Sequence, residues 1–269
     1  MEIQNLSLIL VNIFVPIISG MIFFALAKFV IYIAPLRQFS AGKQTYTKAF
    51  FGFIAFGVYL ASRPLQILLG PHPMPLIINN IREFFMIGIF GPSIFIAIYG
   101  LAYGGENIKK WMNILIYGIG ICLAITFNII NIYAIGGSKE IFRIGNYAAY
   151  DGLWFVDLTP QRTKLMGLLF VIRLIDPVIL LFIAATIGLY RAFTYPEDRK
   201  KIYSNMPKKI IFTSIGTYCF SLSMLTVGFV WLLGKIPNQW WGYYIGALLA
   251  GIFEAISISL PLRKEKEIL

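Results

Sequence analysis

An all-α polytopic integral membrane protein with seven transmembrane helices is the fold class this chain predicts, on three observations. Of its 269 residues 58% are hydrophobic and only 13% are charged, and the mean hydropathy is +0.77. The apolar residues gather in seven runs, each long enough for a hydrocarbon core that takes roughly 20 helical residues to cross. The runs lie at about 6 to 35, 49 to 69, 76 to 103, 110 to 135, 165 to 190, 209 to 234 and 239 to 262. With no internal repeat, low-complexity tract or soluble segment between them, residues 1–269 read as a single membrane domain.

The opening "MEIQNLSLIL" has no basic segment, and its apolar run continues past signal-peptide length, so it predicts a retained first helix. The second and third helices are joined by "GPHPMP", an uncharged, proline-rich stretch suited to a tight turn. In the fourth, Gly118 and Gly120 of "GIGIC" read as helix-packing residues, because no strand precedes them as a phosphate loop requires. Between the fourth and fifth helices, "KEIFRIGNYAAYDGLWFVDL" sets Gly-Asn and Asp-Gly turn signals among β-prone runs, which predicts a short β-hairpin over one mouth of the bundle. The sixth helix carries Thr213, Ser214, Thr217, Ser221 and Ser223, a polar path or a set of hydroxyls bonded to their own backbone. The seventh opens with Trp240, Trp241, Tyr243 and Tyr244, read as an aromatic belt.

Basic residues set the direction. With the N-terminus outside, the inner segments hold Arg37, Lys43, Lys48, Lys109, Lys110, Arg191, Arg199, Lys200, Lys201, Lys208, Lys209, Arg263, Lys264 and Lys266, against Lys139, Arg143, Arg162, Lys164 and Lys235 outside. That asymmetry predicts an N-outside, C-cytoplasmic chain in a plasma or inner membrane, with the hairpin on the outside. The formal net charge of +11 follows from these loops. Anionic lipid explains it, and nucleic acid is not an expected partner.

Ionisable residues also interrupt the apolar runs. Arg63, Arg82 and Arg173 each fall about seven residues, or roughly 10 Å, below the outer end of their helices, so they share a layer. Glu83 and Asp176 fall in or just below it, and helical spacing puts Gln66 and Asn79 on the faces of Arg63 and Arg82. Asp176 follows Arg173 by three residues and precedes Pro177, and the predicted cluster has a net charge of plus one. Such groups cost several kcal/mol in lipid, about 2.5 to 3.5 on insertion scales, so they should face the interior and pair. They either fix helix packing as structural ion pairs or form an outward-facing polar pocket whose surplus guanidinium takes an anionic ligand.

A second layer is expected near the cytoplasm. Lys28 and Glu254 each stand nine residues from an inner arginine, Arg37 and Arg263, so they are level and predicted to pair between the first and last helices as a coupling pair. Gly242, Gly246 and Ala250 precede Glu254 at steps of four, a stripe that draws a neighbouring helix close.

Several chemistries lack their residues. The one histidine, His72, lies in a turn, and the two cysteines, Cys122 and Cys219, lie within apolar helices, so no metal site, disulfide or cofactor is expected. Ser93 has no base placed by spacing, and an enzyme is not expected. The architecture resembles the general plan of seven-helix receptors, without an Asp-Arg-Tyr in the third helix or an Asn-Pro-x-x-Tyr in the seventh. The expectation is a membrane sensor or receptor-like module that binds a small anionic ligand at Arg63, Gln66, Asn79, Arg82, Glu83, Arg173 and Asp176. It would signal to a cytoplasmic partner, or within a homo-oligomer, through Lys28 and Glu254. The alternative is a transporter or the membrane subunit of a transport complex.

Overall fold

Seven helices long and apolar enough to cross a membrane dominate this computed structural model, in which residues 3–32, 40–134, 136–152, 160–232 and 240–261 are described. They are α1 (Leu6–Tyr32), α2 (Gly42–Leu68), α3 (Met74–Tyr103), α4 (Lys110–Ala134), α5 (Lys164–Phe193), α6 (Met206–Val227) and α7 (Gly242–Ser259). A short helix, Glu197–Ile202, lies between α5 and α6. Helical structure leading into α2 begins at Ser40, so Lys43 and Lys48 are helical rather than loop residues, and α6 begins at Met206, ahead of Lys209. Hydropathy marks where lipid begins, and a helix continues into polar turns beyond that boundary. The tail after 261, together with Arg37 and Lys235, lies outside the described residues.

α3 is the axis of the bundle. It is 72% buried against 17% for α4, which packs mainly along α3 and α5. α1 lies against α2 and α7, and α6 lies between α5 and α7. The outer face of α4, with Ile114, Ile119, Ile125, Ile129 and Ile132 exposed, suits a helix whose solvent is acyl chain.

At mid-height the core is aromatic. Phe56 of α2 meets Phe90 of α3 at 4.5 Å, Phe220 of α6 at 4.9 Å and Phe23 of α1 at 4.6 Å between ring centroids, and Phe53 extends the group. Edge and offset contacts of this kind add about 0.5 to 1.5 kcal/mol each beyond burial. They also leave an apolar layer between the two ends of the bundle.

Three helices depart from α geometry over one or two turns. π-helical segments run over Leu10–Phe14, Phe84–Phe90 and Leu174–Ile179 in α1, α3 and α5. In the last of these Asp176 leaves the helical region altogether, at φ −133° and ψ 119°, as the residue before Pro177 is driven to do.

The hairpin is β1 (Ser138–Ile144) and β2 (Tyr147–Gly152), antiparallel, with a bulge between Glu140 and Phe142. Gly145, at φ +58°, makes the turn. Phe142 and Ala149 are buried on Ile9 of α1 and Ile67 of α2, so the sheet caps that end of the bundle. Ser138 Oγ accepts from the backbone N–H of His72 at 2.7 Å and ties the α2–α3 turn to β1.

Candidate functional site

The polar cluster at the hairpin end begins with Arg63. Pro64 has no N–H for the carbonyl four residues back, so α2 loosens at Ser62, where Arg63 opens a new helical turn. The Arg63 guanidinium donates to Asn12 Oδ1 of α1, from Nη2 at 2.8 Å and Nε at 3.2 Å, and makes a 2.5 Å ion pair with Asp151 Oδ2. Asp151 Oδ1 accepts from Gln66 Nε2 and from the Gly152 N–H, each at 2.9 Å. The last residues of β2 thus reach into the bundle and anchor on α2.

Gln66 continues the network inward. Its Oε1 accepts from Arg82 Nη1 of α3, while Arg82 Nε donates to the Tyr59 carbonyl at 2.9 Å. The guanidinium carbon of Arg82 lies 4.5 Å from the centroid of the Tyr59 ring. Arg82 is 5% exposed, and among the described residues it has neutral acceptors only. Glu83, the next residue, takes both Nε and Nη2 of Arg173 from α5 in a bidentate pair. Arg173 also lies over the Phe127 ring of α4, at 5.2 Å. Three guanidinium groups therefore face two carboxylates, a balance of plus one in a nearly dry setting.

Two expected members are placed elsewhere. Asp176 does not join the arginines, because its extended backbone before Pro177 breaks the three-residue spacing that would have kept it on the face of Arg173. Its carboxylate instead lies between α3 and α4, so close to Gly91 and Gly120 that a Cβ at Gly91 would sit 2.0 Å from Oδ1, and that oxygen has no hydrogen-bond partner. Gly120 is a packing glycine as expected, whereas Gly118 faces open space. Asn79 is buried with its Nδ2 unpartnered and takes no part in the arginine network.

Tyr243 and Tyr244, read as belt residues, are buried in the bundle at 4% and 5% exposure. Tyr243 packs on Tyr59 and Phe220 and lies within electrostatic reach of Arg82 and Glu83. The side chains of Trp240 and Trp241 lie outside the described residues.

The second layer is also rearranged. Lys28 is exposed on α1 and makes no ion pair with Glu254, which is 8% exposed. The small-residue stripe accounts for this. Gly242 and Gly246 face Val227, Ser223 and the Cys219 carbonyl of α6, so Glu254 further along that face meets Thr213 of α6 instead of α1. Lys28 is one step around its helix from Ala27, which takes the buried position.

Lys209, counted from sequence among the inner basic residues at the start of the sixth run, is fully buried. Its Nζ donates to the carbonyls of Ser257 at 2.6 Å and Ile258 at 3.2 Å. Those carbonyls belong to the last turn of α7, and the N–H that Ser257 O would take four residues on is missing at Pro261. Lys209 is therefore the C-terminal cap of α7, placed where a cation suits the helix dipole. Of the hydroxyl run, Thr217 and Ser223 bond carbonyls of their own helix, and Thr213 turns across to Ser257 and Glu254.

Outside the spans, Arg143 donates to Glu140 at 3.0 and 2.9 Å on the open face of the hairpin, and those hydrogen bonds hold the Glu140 carboxyl below its ordinary range. The residues unforeseen from sequence are Asn12, Tyr59, Asp151 and Lys209. The only trace of them was a lone asparagine in an apolar run and an aspartate read as a turn former. No protein-family model matches the chain, and no curated protein matches its sequence.

Proposed function

We propose that the protein is a membrane sensor or receptor-like module that holds a small anionic ligand in the cluster capped by the hairpin. Arg82 carries this reading: a buried guanidinium set among neutral acceptors, beside two carboxylates already taken by Arg63 and Arg173. A carboxylate or phosphate oxygen arriving there would gain charge-assisted hydrogen bonds in a low-dielectric setting and bring the cluster to neutrality. Helix irregularity gives the reading its inward arm. π segments in α1, α3 and α5 lie beside Asn12, Glu83 and Arg173, and such segments recur at functional sites because they can relax to α geometry. Positive-inside charge bias puts the hairpin outside and the α7 C-terminus at the cytoplasm.

A second reading, a transporter or the membrane subunit of a transport complex, is favoured by Glu254, a buried carboxyl on the far side of the aromatic layer. The layer of Phe23, Phe53, Phe56, Phe90 and Phe220 supports the first reading, since it separates the two polar ends.

The test is thermal stabilisation of purified protein by a panel of small carboxylates and phosphate, followed by vesicle experiments with the best anion. At least one anion should stabilise the protein, and Arg82→Gln should weaken its binding by about 1.5 to 3 kcal/mol. Saturable binding to vesicles without accumulation would support a receptor. Accumulation that Glu254→Gln slows would replace it with a transporter, and no stabilisation by any anion would remove the ligand site.

A further inference from the structure

Glu254 borders a cavity of about 20 Å³ lined by Thr45, Tyr46, Thr213 and Ser257 and otherwise by apolar side chains. That volume is enough for one water molecule. The hydrogen bonds around it can be counted, because each hydroxyl has a single proton to give. Ser257 Oγ lies 2.9 Å from the Lys209 carbonyl oxygen, which can only accept, so the serine proton is there. Thr213 Oγ1 lies 2.8 Å from Ser257 Oγ, whose proton is committed, so threonine donates to serine. Glu254 Oε2 lies 3.2 Å from Thr213 Oγ1. With the threonine proton already used, this contact is a hydrogen bond when the carboxyl supplies the proton.

The charges point the same way. On α6, Lys209 has turned its ammonium to the α7 carbonyls and makes no ion pair with Glu254. On α1, Lys28 is exposed. α2 presents Tyr46 as its titratable group, and α3 presents Ile94, Ala97, Ile98 and Leu101. An ionised carboxylate here would have no cation among the described residues, at a desolvation cost that such groups escape by binding a proton.

We propose that Glu254 is a proton-binding site, a carboxyl group that holds one exchangeable proton at the head of a hydroxyl chain through Thr213 and Ser257. On release, the Glu254 O–H bond breaks and the proton passes to a water molecule in the cavity. Thr213 then turns its hydroxyl proton to the carboxylate, and Ser257 turns its own to Thr213. One proton leaves, the chain of donors reverses, the Lys209 carbonyl gives up its hydrogen bond from Ser257, and no other covalent bond changes. Because Thr213 and Ser257 join α6 to α7, the state of the proton is written into the packing of that helix pair. The inference stands apart from the anion site at the hairpin end and survives its failure.

Infrared difference spectroscopy of the full chain in lipid nanodiscs, stepped between neutral and alkaline pH, tests it. A protonated carboxyl C=O band should be present at neutral pH and shift on 13C-glutamate labelling. It should vanish in Glu254→Gln, remain in Asp176→Asn, and move in frequency in Thr213→Val, where the acceptor is gone. Thr213→Val gives the same answer should Glu254→Gln fail to fold. A labelled band that survives Glu254→Gln would overturn the proposal. So would a Glu254 signal found only as carboxylate, or thermal stabilisation by Na⁺ that Glu254→Gln abolishes, since the oxygens would then hold a cation in place of the proton.

Discussion

At the hairpin end, three guanidinium groups meet two carboxylates that come from other elements, Asp151 from β2 and Glu83 from α3. At the opposite end, one carboxyl and one ammonium lie on adjacent helices and ignore each other, Glu254 taking a threonine hydroxyl and Lys209 the carbonyls of a helix end. The first region pairs two of its three guanidinium groups with carboxylates, whereas the second disperses its charge into neutral hydrogen bonds. What separates them is the partner each backbone leaves open. A hairpin and an irregular α3 can bring a carboxylate to an arginine, whereas a helix ended by Pro261 leaves bare carbonyls that claim the nearest lysine.

The comparison breaks most visibly at Glu83. Replacing it with glutamine leaves Arg173 without its carboxylate, and should cost about 3 to 5 kcal/mol in unfolding experiments, largely recovered in the Glu83→Gln/Arg173→Gln double variant. If the double variant is no better than the single, the pair is not the stabilising unit.

Asp151→Asn keeps the shape of the second carboxylate but not its charge. A loss of about 1.5 to 3 kcal/mol is expected, together with faster amide exchange across β1 and β2, because a hydrogen bond to a charged group is what anchors the sheet. Unchanged exchange would mean that Phe142 and Ala149 hold the hairpin by packing alone.

The dispersed end is sharpened by Gly246→Ala. A Cβ there would sit 1.9 Å from Ser223 Oγ, so α6 and α7 must separate, at about 1 to 3 kcal/mol. Thermal unfolding measures it, and a neutral result would show that the two helices part there without loss, since Ser223 Cβ, 2.3 Å away, stays put when its hydroxyl turns.

Lys28→Leu should change stability by no more than about 0.5 kcal/mol, since an exposed lysine without an ion pair contributes little. A loss several times larger would restore the Lys28–Glu254 pair. Smallest of all is Glu140→Gln on the open hairpin face. The folded carboxyl is held low by Arg143, so its contribution is present above the ordinary carboxylate range and fades as pH falls through its lowered value. Solvent exposure and screening should keep the variant's melting curve on that of the wild type at neutral pH.

Sequence alone determined the seven long apolar helices and the hairpin. Hydropathy runs, turn residues and a fixed rise per residue are local quantities that neighbouring helices cannot alter. The pairing of Arg63 and Arg173 was decided by tertiary structure. Asp151 lies 88 residues from Arg63 and Glu83 lies 90 from Arg173, and no spacing rule reaches across such separations. Asp176 shows the same limit at short range, where one proline turned a residue three positions from Arg173 away from it. Depth is a coordinate along one helix, but azimuth in a bundle is settled by which faces pack. The stripe of Gly242, Gly246 and Ala250 could equally have met α1 or α6. Its contact with α6 placed Glu254 beside Thr213 and left Lys28 outside.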